Sequence, residues 1–227
     1  MATEFLVPSQ TYLASGIHIG MKQKSQHMRR FVYKIRPDGL AVMNLQMIDE
    51  KIRVAAAFLA RAKNIMVVSR KNIAQTAIEK FGEAVGAKVI KGRFMPGTLT
   101  NPRDKDFFEA DAVVIVDPLY DHQVMDEAAT ARVPVVAVCG TSNETNGIDV
   151  IIPANNKSAK SIAVLFWVLA REILKNRGQL QTDDAFAYKI SDFIKEGAFD
   201  ESGPVAYAAE QQAERSPRRG RRPERRK

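Results

Sequence analysis

Five short apolar runs between residues 65 and 153 constrain the fold of this chain more than any other feature. Each run is four or five residues long and rich in Val and Ile, as is typical of parallel strands buried on both faces. Segments with helical periodicity lie between and around the runs. This pattern predicts an α/β domain in which helices cover both faces of a parallel sheet. The predicted strands are residues 65–68, 87–90, 112–116, 134–138 and 149–152.

Four helices are predicted around the strands, because apolar residues recur three and four positions apart. Asn72 and Asp121 are expected to cap the second and third helices. The fourth helix runs from about Lys157 to Asn176 and is expected to end at Gly178. The residues predicted to face inward are Ile48, Ile52, Ala55, Ala56 and Leu59 in the first helix, Ile73, Ala77, Ile78 and Phe81 in the second, and Val124, Met125, Ala128 and Ala129 in the third.

The segment ahead of the core predicts a β-hairpin. Residues 31–36 and 40–45 alternate in polarity on either side of the sequence PDG at residues 37–39. Proline presets the turn and glycine permits a positive φ, which favours a tight connection between two antiparallel strands. A short helix over residues 7–14 is expected to stop at Gly16.

Beyond the core the apolar pattern weakens. Residues 183–196 predict one more helix, whose inward residues are Phe186, Ile190, Phe193 and Ile194. After Gly203 the composition shifts to Ala, Glu, Gln, Arg and Pro, which predicts disorder in the unbound chain. We therefore expect four regions: a basic N-terminal extension with a hairpin (1–46), the α/β core (47–178), a C-terminal helical extension (179–203) and a disordered basic tail (204–227).

Basic charge is concentrated near the two ends of the chain, whose formal net charge is +8. From Arg215 onward eight basic residues accompany one acidic residue, so this stretch carries +7. Residues 5–37 contain six Lys or Arg and no Asp or Glu, which adds +6 and leaves the remaining chain slightly acidic. Such clusters are typical of segments that contact nucleic acid.

Cysteine usage and hydropathy predict a soluble intracellular protein. The single cysteine, Cys139, excludes an internal disulfide framework and a cysteine-based zinc site. It follows the apolar run 135–138, so we expect a buried and unreactive thiol. The N-terminus lacks the pattern of a signal peptide, and the longest apolar run, residues 162–170, is about half a membrane span. We therefore expect a cytoplasmic protein with no membrane partner.

The motifs disfavour nucleotide cofactors and metals. A dinucleotide fold needs G-x-G-x-x-G between a strand and a helix, yet the first predicted strand is followed by SRKN, without a glycine. Gly16 and Gly20 are spaced G-x-x-x-G and do not follow a predicted strand. His18, His27 and His122 lack the paired spacing of metal ligands. We expect no cofactor, no metal and no small-molecule substrate.

An acid/base site is the alternative from another class of function. Asp117, Asp121 and His122 follow the third predicted strand, at the sheet edge where ligands of α/β proteins bind. Structural roles compete with this interpretation, because Asp117 precedes a proline, which favours an extended turn, and Asp121 is placed to cap a helix. We favour the structural roles and keep an enzyme with this site as the alternative.

Residues 5–37 have the composition that RNA binding requires. Phosphate contacts dominate affinity and need Lys and Arg that stay free of salt bridges, and no acidic residue lies within this segment. Gly16 and Gly20 are expected to let the chain lie close to RNA. Interleaved aromatic and polar side chains can stack on bases, although Phe31 and Tyr33 are expected to pack on the inner face of the hairpin. The residues predicted to bind RNA here are His18, Lys22, Lys24, Arg29, Arg30, Lys34 and Arg36.

Two further segments are predicted to contact RNA. Residues 91–103 (KGRFMPGTLTNPR) follow the second strand, at the edge where a ligand is expected. Glycine lets the backbone approach a phosphate, and Arg93 and Arg103 can each fork onto one. The competing interpretation is that Gly and Pro only shape a long loop. In the tail, a nonspecific tether to RNA is predicted from Arg218, Arg219, Arg221 and Arg222.

Several separate segments resemble one known family, the small-subunit ribosomal protein S2 family. The resemblance covers about residues 7–175, and five motifs in the right order are far more specific than any one of them. The five motifs are residues 12–20 (YLASGIHIG); 40–49; 92–101 (GRFMPGTLTN); 113–118 (VVIVDP) with 121–123 (DHQ); and one region formed by 134–139 (PVVAVC) with Thr141 and 149–155 (DVIIPAN) followed by Ser158.

The resemblance implies a flavodoxin-like sheet, no catalysis and a place in the small ribosomal subunit between head and body, with contacts to ribosomal RNA and neighbouring ribosomal proteins. Bacterial members carry a long helical hairpin where only residues 102–111 stand here, so its contacts are not carried over. Met21 replaces the second histidine of the opening motif, which weakens a metal role for that pair. The short interval and the stretches RFMPGTLTNP and IPANNKS resemble the archaeal branch, related to the eukaryotic laminin-receptor-like ribosomal protein.

Overall fold

A five-stranded parallel sheet lies at the centre of the computed structural model, which describes residues 5–181 and 186–194. The strand order is β4-β3-β5-β6-β7, which corresponds to 2-1-3-4-5 within the sheet and is the flavodoxin-like order. The predicted fold class is therefore confirmed, and each predicted strand lies within about one residue of the observed bounds. The strands are β3 (Ile65–Ser69), β4 (Lys88–Lys91), β5 (Ala112–Ile115), β6 (Val135–Cys139) and β7 (Val150–Pro153).

The burial of these strands explains why they could be predicted from the sequence. Every residue of β3, β5 and β6 is buried, because these strands have neighbours on both sides and helices or loops on both faces. Strands β4 and β7 form the edges and are partly exposed. A strand buried on both faces is apolar at every position, so a continuous Val/Ile run marks it.

Helices and two loops cover the two faces of the sheet. On one face, α5 (Ala159–Asn176) packs against both α2 (Leu45–Arg61) and α3 (Gln75–Val85). On the opposite face, α4 (His122–Ala131) shares a hydrophobic cluster with alternate residues of β3, β5 and β6. Four apolar side chains from outside the regular core complete that cluster: Met28, Phe31, Phe94 and Leu99.

The predicted N-terminal elements are confirmed. Helix α1 (Ser9–Ser15) stops at Gly16, whose φ of 68° places it in the left-handed region that glycine tolerates. Strands β1 (Val32–Ile35) and β2 (Ala41–Met43) form the antiparallel hairpin. Strand β2 buries Ala41 and Met43 against the core, whereas β1 is largely exposed. The hairpin therefore rests on the core through one of its two strands.

The cap predicted at Asn72 is wrong, and the cap predicted at Asp121 is right in position but makes no side-chain bond to the helix. Asn72 begins a short 3₁₀ turn (Asn72–Ala74), and α3 starts after Ala74. Because this turn breaks the helical phase, Ile73 is 39% exposed instead of inward. Asp121 occupies the N-cap position of α4, but its carboxylate accepts a hydrogen bond from Arg70 N (3.0 Å) and not from the helix.

The inward face of α4 was predicted only in part, whereas the end of α5 was predicted correctly. In α4 the inward face is Val124, Glu127 and Ala128, while Ala129 is exposed. Helix α5 ends as expected, since Gly178 beyond it has a φ of 73°. Within the described parts of the chain, no helix combines the length and apolarity needed to cross a membrane.

The predicted C-terminal helix is wrong where the structure describes it. Residues 186–194 contain only a 3₁₀ turn, Ile190–Phe193, preceded by irregular chain. Phe186, Phe193 and Ile194 are buried as predicted, whereas Ile190 is half-exposed. Aromatic packing on α5 explains the difference, because Trp167 holds Phe186 at 5.9 Å and donates from Nε1 to the Tyr188 carbonyl (2.8 Å). Residues 195–227, with the tail arginines, lie outside the described residues.

Candidate nucleic-acid interface

The basic segment, residues 15–37, is fixed to the core by hydrogen bonds at the carboxyl edge of the sheet. Met21 N donates to Thr141 Oγ1 (2.8 Å), and Ser25 N donates to the Thr141 carbonyl (2.9 Å). The Ser25 hydroxyl donates to the Asn143 carbonyl (2.7 Å). Thr141 and Asn143 directly follow β6, which places the segment across the end of that strand. The segment is thus an ordered part of the domain.

Gly20 approaches the protein core where an approach to RNA was expected. A Cβ atom built on Gly20 would lie 2.3 Å from Thr141 Cγ2 and 3.0 Å from the Ala41 carbonyl oxygen. Gly20 N also donates to that carbonyl (2.8 Å). Only glycine therefore fits at this point, and the reason is the contact with Thr141 and the hairpin.

A 3₁₀ turn, His27–Phe31, separates buried anchors from exposed cations. Met28 and Phe31 are almost completely buried in the hydrophobic cluster that α4 shares with the sheet. Arg29 and Arg30 lie between them in sequence and are exposed. The Arg30 guanidinium stacks 4.8 Å from the centre of the Phe31 ring, which orients it further. The sequence MRRF therefore presents two arginines on a buried base.

Five cations of the basic segment have no carboxylate partner among the described residues. These are Lys22, Lys24, Arg29, Arg30 and Lys34, all of which are exposed. Arg36 differs, because it forms an exposed ion pair with Asp38 (3.2 Å), which lies just beyond the acid-free stretch. The expectation of free cations is wrong for Arg36, although a surface pair of this kind contributes little and can be exchanged for a phosphate.

His18 and Tyr33 have different environments from those expected of a simple basic loop. Burial lowers the pKa of His18, so its imidazole is neutral near pH 7 and can offer hydrogen bonds but not a positive charge. Phe31 packs inward as predicted, whereas Tyr33 is 73% exposed, so the expectation for Tyr33 is wrong. The role of His18 in RNA binding stays a prediction.

The second predicted segment, here called the glycine-rich loop (residues 91–103), is held by a buried carboxylate. Glu127 on α4 accepts hydrogen bonds from Gly97 N (2.8 Å) and Leu99 N (3.3 Å). Phe94 and Leu99 bury their side chains in the same hydrophobic cluster as Met28 and Phe31. The loop and the basic segment therefore lie on the same face of the sheet.

The two arginines of the glycine-rich loop are exposed. Arg93 and Arg103 form no ion pair with any described residue. Sequence reasoning missed Glu127, yet a signal existed: it shares the inward face of α4 with Val124 and Ala128, and a carboxylate on an apolar face needs buried donors. The contact of Arg93 and Arg103 with RNA stays a prediction, as does that of the tail arginines outside the described residues.

Asp117, one of the two carboxylates of the enzyme alternative, belongs to a buried polar network. Asp117 is buried and accepts from Asn143 Nδ2 (2.7 Å) and Leu119 N (3.1 Å) while it pairs with Lys71. Lys71 also donates to the Asn156 carbonyl (2.8 Å). These residues follow β3, β5, β6 and β7, so the network ties the ends of four strands together.

This network fills the position in which a doubly wound sheet usually holds a ligand. A Cβ on Gly140 would lie 2.8 Å from Asn156 Oδ1, which shows how tightly the edge is packed. Burial raises the pKa of Asp121 to about 6, and His122 beside it is exposed. No cluster of metal-ligating side chains occurs in residues 5–181 or 186–194. The Asp117 network ties the strand ends together, and Asp121 lies buried beside it with Oδ1 bonded to Arg70 N and no hydrogen bond to Oδ2 from the described residues.

The sheet edge closed by its own side chains, together with exposed cations on an anchored segment, defines a nucleic-acid-binding structural protein of the α/β class. The chain belongs to the ribosomal protein S2 family, whose model matches residues 12–106 and 108–176. The predicted family is therefore confirmed, and the enzyme alternative is not supported.

Archaeal proteins are among the most similar relatives. The chain is 45% identical over 195 residues to the small ribosomal subunit protein uS2 of Thermoplasma acidophilum, which covers 85% of this chain and 98% of the relative. Identity to the protein of the same name from Picrophilus torridus is 44%, with the same coverage. For the one from Ignicoccus hospitalis it is 47% over 183 residues, or 79% of this chain and 86% of the relative.

Proposed function

We propose that this chain is a structural constituent of the small ribosomal subunit, which binds ribosomal RNA through the basic segment and the glycine-rich loop and supports translation in the cytoplasm. One observation carries the proposal: five exposed cations without a carboxylate partner lie on a segment that hydrogen bonds fix to the core. Membership in the ribosomal protein S2 family supports the same assignment.

The anchoring of the segment matters for affinity. Ordering a flexible basic arm costs conformational entropy at the moment of binding. Here Met21 and Ser25 are already bonded to Thr141, and Met28 and Phe31 are already buried. The cations therefore meet phosphates from a preformed surface, which lowers the cost of binding and fixes the register of the contacts.

Neighbouring small-subunit proteins are proposed as further partners, with a position between head and body of the subunit. The family resemblance supports this part of the proposal. Arg93 and Arg103 extend the RNA-binding surface from the basic segment to the glycine-rich loop, and Arg218, Arg219, Arg221 and Arg222 are proposed to tether the tail.

Cosedimentation with small subunits tests the proposal. The wild-type chain is expected to sediment with subunits at low salt and to leave them at high salt, as phosphate-dominated binding requires. Replacing Arg29→Glu and Arg30→Glu together should impair incorporation without unfolding the core, because both side chains are exposed. Circular dichroism and thermal melting check that the fold is intact.

A matched control reverses the same amount of charge at the opposite edge of the sheet. Arg61 and Lys63 are exposed and lie just before β3, far in the fold from the carboxyl edge, so Arg61→Glu with Lys63→Glu should incorporate like the wild type. If the Arg29 and Arg30 reversal incorporates as well as this control, the basic segment is not the RNA contact. A monomer free of RNA at every salt concentration contradicts the ribosomal role itself.

A further inference from the structure

Tyr33 lies at an irregularity in the hairpin, on a strand that is exposed along most of its length. In the β1–β2 ladder Val32 pairs with Met43 and Lys34 pairs with Val42, so two steps along β1 oppose one step along β2. Tyr33 is the extra residue of this β-bulge. Bulges redirect a side chain and are frequent next to functional sites. Its side chain is 73% exposed, which is unusual for an aromatic residue within a strand.

A charged groove surrounds this ring. The groove has a volume of about 740 Å³ and is lined by Tyr33 with Lys24, Gln26, Arg29 and Lys34. None of the three cations forms an ion pair with a described residue. The groove therefore combines an aromatic face, three free positive charges and an amide that can both donate and accept hydrogen bonds.

We propose that this groove binds an unpaired RNA nucleotide, whose base stacks on Tyr33 while Lys24, Arg29 and Lys34 contact the flanking phosphates. The inference rests on the proposed RNA-binding function and adds which form of RNA the groove takes. A base within a duplex has both faces covered by its neighbours, whereas a base in a loop or bulge has a free face. Exposed aromatic rings beside cations are the usual platform for single-stranded nucleic acid.

The location of the ring favours stacking over a purely electrostatic role. Lysine and arginine alone are sufficient to bind a duplex through its phosphates. A tyrosine hydroxyl can add a hydrogen bond to a phosphate, but the aromatic face is used only when a base stacks on it. The floor of the groove is held in place, because the Ser25 hydroxyl donates to the Asn143 carbonyl and Phe31, the residue before Val32, is buried. Because the chain around Tyr33 is already ordered, less conformational entropy is lost when a nucleotide binds there.

The test compares a short single-stranded RNA with a blunt RNA duplex of the same length, each labelled and titrated with the full chain at one fixed salt concentration. The Tyr33→Leu variant should bind the single strand about tenfold more weakly, which corresponds to about 1.4 kcal/mol, and should bind the duplex as the wild type does. Tyr33→Phe should retain single-strand binding because it keeps the ring. Tyr120→Leu removes another exposed tyrosine, outside the groove, and should change neither affinity.

A spectroscopic reading separates stacking from mere proximity. In Tyr33→Trp the new indole should be quenched by the single strand and not by the duplex, measured against the wild type, whose one tryptophan, Trp167, packs on Phe186 away from the groove. Unchanged single-strand affinity in Tyr33→Leu, together with weaker binding of both RNAs after Arg29→Glu and Arg30→Glu, overturns the stacking role while RNA binding by the segment stands. Failure of the wild type to bind either RNA at low salt overturns both.

Discussion

At the scale of single residues, Gly20 is a position where the basic segment leaves no room for a side chain beside Thr141. Gly20→Ala would place its Cβ 2.3 Å from Thr141 Cγ2, so either the segment or Thr141 must move. Overpacking of this kind costs about 1–3 kcal/mol, and we expect a lower melting temperature and weaker RNA binding together. Calorimetry and an RNA titration of the same samples measure both.

A second change at Thr141 shows whether that contact is the cause. Thr141→Ser removes Cγ2 but keeps the hydroxyl that accepts from Met21 N (2.8 Å). In the Thr141→Ser background, Gly20→Ala should therefore destabilise the protein less than it does in the wild type. Equal costs in both backgrounds would place the strain elsewhere, for example at the Ala41 carbonyl oxygen.

Asp121 gives the stability of the protein a pH dependence of unusual sign. Its folded pKa of about 6 lies above the ordinary aspartate pKa of 3.8, because burial disfavours the carboxylate and the nearby Asp117 adds to this. Between about pH 4 and pH 6 the folded state holds the proton more often than the unfolded state, so the contribution of Asp121 to stability decreases as pH rises. The total change is up to about 3 kcal/mol.

Urea denaturation across this range isolates the effect of Asp121. The free energy of unfolding of the wild type minus that of Asp121→Asn should decrease between pH 4 and pH 7, because the variant lacks the titrating group. Asp38→Asn is the control, since Asp38 is exposed and paired only with Arg36 at the surface. A difference that stays constant with pH would mean that Asp121 ionises normally in the folded protein.

At the scale of elements, Glu127 makes α4 the support of the glycine-rich loop. Glu127→Ala leaves the amides of Gly97 and Leu99 without their acceptor, and hydrogen bonds to a charged group contribute about 1.5–3 kcal/mol each. We expect faster hydrogen exchange at these two amides and faster tryptic cleavage after Arg93 and Arg103. Asp126→Ala, next in sequence and exposed, should change neither rate. Loss of global stability without faster cleavage of the loop would contradict the assigned role.

The elements also show what a sequence can and cannot predict. Strands β3, β5 and β6 were predictable because burial on both faces requires apolar residues at nearly every position, which appears in the sequence as a run rich in Val and Ile. The segment 186–194 was not, because its path follows from packing on Trp167 and not from its own helical periodicity. The cap expected at Asn72 failed because the choice between a 3₁₀ turn and a helix depends on neighbours outside the segment.

For the candidate interface, the features that depend on local composition were predicted, whereas the contacts between residues distant in sequence were not. The exposed cations of the basic segment were predicted from the absence of acids, which is a local property. Thr141, Asn143 and Glu127 were missed because each bonds to a residue 28 to 120 positions away in sequence. The exposure of Tyr33 was predicted wrongly, since alternation in sequence does not show that only β2 packs on the core and that Tyr33, Lys34 and Ile35 of β1 are all exposed.

At the scale of the whole molecule, nearly all excess positive charge lies in the basic segment and in the tail, on a body that is slightly acidic. Two separate cationic regions on one chain should add their phosphate contacts, and each contact steepens the fall of log K with log salt by about 0.7 to 0.9. Neutralising Arg218, Arg219, Arg221 and Arg222 to Gln in the full chain should therefore reduce that slope by about 3 and weaken binding most at low salt.

Because the tail is proposed as a nonspecific tether, the preference for single-stranded over duplex RNA should not change, whereas Tyr33→Leu should alter the preference and leave the slope unchanged. A series of RNA titrations at increasing salt measures both quantities, with Arg61→Gln and Lys63→Gln as the charge control. If neutralising the tail leaves the slope as it is in the wild type, the tail does not touch RNA, and the anchored basic segment together with the glycine-rich loop accounts for the binding.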